Sequence, residues 1–171
     1  MISSAATIRI TTAAAIAAGR ANSCARLSGG SVKCWGGNAY GSLGNGTMGT
    51  SSTPVTVTGI TTATAVTVNG YHACALLSGG SVKCWGSDLY GQLGDGTGTT
   101  ASSSTPVVVS GITTATAVTA GSFHSCAMLS GGTTKCWGWN VLGQLGNGSA
   151  VDSATPVAVS GIPAATAIAA G

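Results

Sequence analysis

The sequence predicts an all-β fold assembled from three copies of one unit. The segment HACALLSGGSVKCWGSDLYGQLGDG, at 72–96, recurs with few changes at 22–46 and at 124–148. The first cysteine of the second copy follows that of the first by 50 residues, and the third follows the second by 52. A fixed period of this size is typical of repeat architectures. Within each unit, short apolar and β-branched runs alternate with Gly, Ser and Pro turn signals, which is the pattern of strands.

A connecting segment precedes each unit. At 60–66 it reads ITTATAV, an alternation of small, β-branched and apolar residues that is typical of a half-buried strand. Other copies lie at 10–16, 112–118 and 162–168. The chain therefore holds four connectors but three central units, and we expect one surplus connecting strand.

The central unit predicts a β-hairpin around Ser78-Gly79-Gly80. A three-residue loop with Gly80 in the left-handed region gives a hairpin with a G1 bulge. Counting outward from this loop pairs Cys74 with Cys84 at a non-hydrogen-bonded position, where Cα atoms lie roughly 4.5 Å apart. This separation is within the range of disulfides. We therefore predict the pairs Cys24–Cys34, Cys74–Cys84 and Cys126–Cys136.

Metal ligation is the alternative interpretation of these cysteines. The spacing is C-x9-C rather than C-x2-C, and the nearby His72 and His124 are replaced by Asn22 in the first repeat. Disulfides are therefore favoured. They predict an oxidising setting, which is extracellular or at the cell surface.

The composition excludes several classes of protein. Nine of 171 residues are charged, against roughly a quarter in average domains, and polarity comes instead from 24 Thr and 21 Ser. The net charge of +3 is scattered, so no nucleic-acid partner is predicted. No apolar run reaches the length of a membrane span. A surface with so little charge suits glycosylation, burial in an assembly or an extracellular setting.

The sequence predicts no catalytic, cofactor or metal site. His72 and His124 lack a repeated acidic partner, and we expect them to hydrogen-bond between strands. The glycines of GQLGDG are followed by no lysine, so they predict tight turns rather than a phosphate cradle. Each unit also carries one tryptophan at the same position, for which we predict a structural role: Trp35, Trp85 and Trp137.

Glycosylation is a second interpretation of some loop residues. Asn45 and Asn147 fit the N-x-S/T acceptor pattern, although Asn-Gly equally suits a tight turn. The Ser/Thr tracts at 50–53 and 99–105 are candidate O-glycan sites on composition alone.

The repeat resembles the regulator of chromosome condensation (RCC1) repeat in its cysteine-bearing bacterial form. The resemblance rests on VTAGSFHS at 118–125, on Ala127-Met128, on Trp137-Gly138 and on GQLGNG at 143–148. Cys126 is a departure, because the family more often has an aliphatic residue there. The resemblance implies four-stranded blades of a β-propeller, usually seven in a ring. The founding member is a nucleotide-exchange factor that binds chromatin, but its acidic and basic contact residues and its wedge loop have no counterparts here.

The expected organisation is a connector at 1–19, then repeats at 20–69, 70–121 and 122–171, the last with a terminal connector strand. Three blades do not close a ring, because propellers typically need four to eight. We therefore expect a non-enzymatic extracellular structural or adhesive protein. It would self-associate head to tail, as a filament or multi-chain propeller, by strand exchange between its ends. Its partners would be further copies of itself and glycans. The alternative is part of a seven-bladed propeller that acts as a binding module.

Overall fold

Twelve β-strands and no helix occupy the part of the chain that the computed structural model describes, residues 11–98 and 100–171. Two expected features extend beyond it: the start of the connector at 1–19, and Thr99 in the second Ser/Thr tract. The strands are β1 (Ala13–Ala18), β2 (Asn22–Leu27), β3 (Val32–Gly36), β4 (Ser51–Thr56), β5 (Ala63–Asn69), β6 (His72–Leu77), β7 (Val82–Gly86), β8 (Ser103–Val108), β9 (Ala115–Ala120), β10 (His124–Leu129), β11 (Thr134–Gly138) and β12 (Ser153–Ala158).

The strands form three antiparallel four-stranded sheets, each a simple meander in chain order. We call them blade 1 (β1–β4), blade 2 (β5–β8) and blade 3 (β9–β12). The predicted all-β fold of propeller blades that do not close a ring is confirmed. Every blade starts with a connector copy and ends with the strand that contains Pro54, Pro106 or Pro156. These prolines lie on edge strands, where the missing N–H is tolerated.

The central hairpin has the geometry that its Ser-Gly-Gly loop predicts. In blade 2, Gly80 has a φ of 81°, and the Leu77 N–H donates to the Ser81 carbonyl at 2.9 Å. Cys74 therefore lies opposite Cys84. The three disulfides Cys24–Cys34, Cys74–Cys84 and Cys126–Cys136 each join β-strands of one hairpin, with Cα atoms 4.0–4.1 Å apart.

The fourth connector differs from the expected strand. Residues 162–168 have no ladder hydrogen bonds, because no described strand lies beside them to complete a sheet. These residues make one backbone hydrogen bond to blade 3, in which the Ala165 N–H donates to the Gly132 carbonyl at 3.0 Å. At the other end β1 already completes blade 1, so blade 1 lacks no strand.

The apolar core lies between the blades. One cluster joins Cys24, Cys34 and Val32 of blade 1 to Ala73, Ala75 and Trp85 of blade 2. A second cluster repeats this contact one blade later, with Cys74, Cys84 and Val82 against Ala127 and Trp137. Blade 2 therefore buries one face against blade 1 and the other against blade 3.

Candidate functional site

Tryptophan side chains connect each blade to the preceding one. Trp85 and Trp137 are fully buried. The Trp85 indole N–H donates to the Ser42 carbonyl, and the Trp137 indole N–H donates to the Gln92 carbonyl, both at 2.9 Å. The indole ring packs so closely on Gly44 that a side chain there would clash, because a Cβ on Gly44 would lie 2.8 Å from Trp85 Nε1. Each tryptophan thus fits a glycine socket in the preceding blade.

Trp35 of blade 1 has no such socket. No described blade precedes it, so it is only partly buried, and its indole N–H has no hydrogen-bond partner among the described residues. Ile16, on the same face of blade 1, is 68% exposed, whereas its equivalents Val66 and Val118 pack into the two interblade clusters. We call this surface, which carries Ile16, Ser23, Ala25 and Trp35, the leading face.

The opposite face of blade 3 has a socket with no tryptophan in front of it. A Cβ on Gly146, the equivalent of Gly44, would meet Val159 at 3.0 Å and no ring. The apolar residues of this surface, Cys126, Cys136 and Leu145, are covered by Ile168 of the C-terminal segment. A cavity of about 280 Å³ remains between them. We call this surface, which also includes His124 and Gln144, the trailing face.

The disulfide on the trailing face, Cys126–Cys136, is expected to be reduced faster than the other two. Cys126 and Cys136 line the cavity, whereas the other four cysteines are completely inaccessible. Because thiol–disulfide exchange requires access to a sulfur, a mild thiol reductant is expected to open Cys126–Cys136 first. Alkylation followed by peptide mass spectrometry over time measures the order. Equal rates for all three disulfides would contradict it.

The histidines differ according to whether a following blade covers them. His72 is fully buried, and its Nε2 lies 2.7 Å from the Ser125 hydroxyl, which itself donates to the Gln92 carbonyl. Burial, and secondarily the nearby His124, lowers the pKa of His72 to about 3, so this side chain is neutral. It links β6 of blade 2 to β10 of blade 3.

Positions equivalent to this histidine lack the same partner. His124 lies on the trailing face, half-buried, with its pKa lowered by burial. In blade 1 the equivalent Asn22 is buried, and neither its amide nitrogen nor its amide oxygen has a partner among the described residues. Ala73 stands there in the position that Ser125 has in blade 3, so the hydroxyl is missing.

A buried carboxyl group replaces an amide in one blade. Asp88 occupies the position of Asn38 and Asn140, and each accepts a backbone hydrogen bond at 2.8–2.9 Å. The two amides also donate to loop carbonyls at 2.9–3.0 Å. An ionised carboxylate cannot donate. Burial raises the pKa of Asp88 to about 6, although its hydrogen bond from Leu93 opposes this shift.

Asp88→Asn is expected to stabilise the fold at neutral pH. Because the folded pKa is raised above 3.8, the stabilising contribution of Asp88 is complete below 3.8 and is lost as the pH rises through about 6. The variant should gain about 1–3 kcal/mol of unfolding free energy above that pH. Thermal unfolding at several pH values measures this. Asp95→Asn, which restores the residue found at Asn45 and Asn147, should have a much smaller effect, and equal effects would contradict the assignment.

The two candidate N-glycan acceptors form turns. The Asn45 side-chain oxygen accepts the Thr47 N–H at 3.2 Å, and that of Asn147 accepts the Ser149 N–H at 3.1 Å. Both side chains are partly exposed in equivalent loops. Both asparagines therefore form turns, and their glycosylation stays a prediction.

A row of aromatic rings, which the sequence analysis did not single out, runs along one rim. Neighbouring ring centroids are 5.2–6.2 Å apart. The rings belong to Tyr40, Tyr71, Tyr90, Phe123 and Trp139. Leu142, which is 79% exposed, extends this surface. In the sequence, the aromatic side chains at the equivalent positions Tyr71 and Phe123 are the pattern that could have indicated this row. We call this row the aromatic rim.

Two further kinds of site are absent from residues 11–98 and 100–171. Those residues contain no group of three or more His, Cys, Asp or Glu side chains that could hold a metal ion. They likewise contain no helix with the length and hydrophobicity to cross a membrane.

Comparisons with known proteins agree with the blade geometry. Two family models, both described as the regulator of chromosome condensation (RCC1) repeat, match the chain. One matches residues 13–42, 63–92 and 115–144, and the other matches 29–76, 79–128 and 136–171. The chain belongs to the RCC1 repeat family. No curated protein sequence matches it.

Solved structures share the fold. Human WBSCR16 is 24% identical with a TM-score of 0.77, covering 86% of this chain and 38% of that protein. Yeast RCC1 (Prp20), solved bound to Kap60, is 18% identical with a TM-score of 0.78, covering 86% and 37%. The ectodomain of receptor kinase CR4 from Physcomitrella patens is 23% identical with a TM-score of 0.55, covering 94% and 36%. The chain thus spans less than two fifths of each of these structures.

Proposed function

We propose that the chain is a non-enzymatic binding and assembly module whose two end faces join further blades of the same type. One observation carries this proposal. The leading and trailing faces are the two halves of an interface that already occurs twice inside the chain. Trp35 is the tryptophan that lacks a socket, and Gly146 belongs to the socket that lacks a tryptophan.

The polar groups of the end faces are also complementary. His124 on the trailing face is equivalent to His72, and Ser23 on the leading face is equivalent to Ser125. A blade 1 docked on a blade 3 would therefore reproduce the His–Ser pair seen at 2.7 Å between blades 2 and 3. Burying the Trp35 ring and satisfying its N–H would contribute roughly 3 kcal/mol to this contact.

The leading and trailing faces differ, so the contact is heterologous. Copies of the chain would join head to tail, giving a ring if the rotation closes and a filament if it does not. Intramolecular disulfides indicate a non-reducing setting. Together with the low charge of the surface, they support an extracellular or cell-surface structural role.

Two end-face variants test the proposal. Trp35→Ala removes the ring from the leading face, and Gly146→Ala places a methyl group in the socket of the trailing face. The wild-type chain is expected to associate at micromolar concentration in sedimentation velocity. Each variant alone should stay monomeric, because every contact between its copies would include the altered face. An equimolar mixture should form a heterodimer, because one intact leading face and one intact trailing face remain.

The control for Gly146→Ala is Gly161→Ala. Both glycines have positive φ, 62° and 73°, so alanine costs about 1–2 kcal/mol at either site, but Gly161 has open space around it. Gly161→Ala should associate like the wild type. A wild-type chain that stays monomeric, or end-face variants that associate normally, would contradict association between copies.

A second candidate function is a protein-binding part of a larger propeller. The chain spans 38% of WBSCR16, and the aromatic rim gives it an apolar surface in addition to its end faces. In this case the further blades belong to the same polypeptide. The mass of the native polypeptide in its source cells decides: a product more than twice as long favours this candidate, and a product of this length favours assembly from copies.

A further inference from the structure

We propose that neighbouring copies exchange a strand: residues 164–171 of one copy replace β1 in blade 1 of the next. This inference rests on the proposed function and names the strand that would connect the copies. It requires a free strand on the trailing face, a matching sequence, and a β1 that can be displaced.

The two ends of the chain carry the same sequence. Residues 15–19 and residues 167–171 both read AIAAG. The two internal connectors read AVTVN at 65–69 and AVTAG at 117–121. The terminal segment is therefore a closer match to β1 than either internal strand is, and it can satisfy the same neighbours.

The terminal segment is already placed as the first strand of a following blade. Its Ala165 N–H donates to the Gly132 carbonyl of blade 3. The equivalent hydrogen bond at the start of blade 2, from the Ala63 N–H to the Gly30 carbonyl of blade 1, is 2.8 Å long. Ile168 packs on the trailing face of blade 3. Its equivalents Val66 and Val118 pack in the same way on the preceding blades, blade 1 and blade 2. The segment has the position of a blade strand but lacks the partner β2 that would complete its hydrogen bonds.

In contrast, β1 is weakly covered. Five of its six residues are exposed, whereas β5 and β9 are held between blades, with Ala63 and Ala115 at 3% and 7% exposure. Its attachments are the antiparallel ladder to β2 and the packing of Ala17 on the cluster between blades 1 and 2. An incoming strand of the same sequence would restore that ladder, so the exchange conserves backbone hydrogen bonds while it brings the two end faces together.

The register predicts which residues meet. In blade 1, Ala15 lies opposite Arg26 and Ile16 lies opposite Ala25. After exchange, Ala167 would lie opposite Arg26 of the next copy, and Ile168 would lie opposite its Ala25. Ile168 would then be covered on one side by its own trailing face and be paired along the other side with the incoming β2.

A disulfide trap in the full-length chain tests this register. The double variant Arg26→Cys with Ala167→Cys can cross-link its new cysteines directly only between copies, because the two positions lie in blade 1 and beyond blade 3. The matched control, Arg26→Cys with Ala15→Cys, places the partner on the chain's own β1. The first variant is expected to give covalent multimers on non-reducing gels, and the control mainly cross-linked monomers. Peptide mapping verifies that the three native disulfides are intact.

The outcomes separate this inference from the proposed function. Multimers joined through the cysteines at 26 and 167 support exchange. If the copies associate in a Trp35-dependent manner without this cross-link, the faces dock and the exchange is wrong. If neither association nor intermolecular cross-links occur, both the exchange and the assembly between copies are wrong.

Discussion

Trp85→Ala is expected to lower the free energy of unfolding by about 3–5 kcal/mol, the usual cost of removing a fully buried large aromatic side chain. The ring is completely inaccessible, and its loss also leaves the Ser42 carbonyl without its 2.9 Å hydrogen bond. Trp137→Ala should have an effect of similar size, because Trp137 makes the same contact one blade later. Denaturant unfolding at a concentration where the chain is monomeric measures both.

Trp35→Ala is the matched control for this prediction. Trp35 has the same sequence environment but no preceding blade, so its loss should change monomer stability by less than about 1 kcal/mol. Its effect should appear in association instead. Equal losses of stability in the three tryptophan variants would contradict the assignment of Trp35 to an open end face, and with it the proposed assembly.

The protonation of His72 is expected to make stability strongly pH-dependent. Its folded pKa, lowered to about 3 mainly by burial, lies below the ordinary value of 6.5. The unfolded chain therefore takes up a proton in this range before the folded chain does. The stabilising contribution is complete above 6.5 and is lost as the pH falls towards 3, by roughly 4–5 kcal/mol in total.

His72→Asn isolates this contribution, because the asparagine found at Asn22 in blade 1 does not titrate. The slope of unfolding free energy against pH should become much flatter between 6.5 and 3 in this variant. Asp88 contributes with the opposite sign in part of the same window, so the difference between wild type and variant is the relevant quantity. His124→Asn should keep most of the slope, and an unchanged slope in His72→Asn would contradict the assignment.

The strands and their local pairing follow from the amino-acid sequence alone. A Ser-Gly-Gly loop between two short apolar runs has few backbone solutions, so the hairpin and the opposition of Cys74 and Cys84 follow from counting residues. The repeat period gave three blades for the same reason, since each unit carries its own turns. The strand in the fourth connector was the exception, because a strand needs a neighbour, and composition does not say whether one is present.

The contacts between the blades, in contrast, depend on the tertiary structure. Trp85 and Ser42 are separated by 43 residues, and His72 and Ser125 by 53, so no local pattern pairs them. The three tryptophans are equal in sequence, yet two are buried and one is partly exposed, because burial depends on whether a blade precedes them. The candidate site arises from that difference, because similar units stacked in a row leave two unlike faces at the ends.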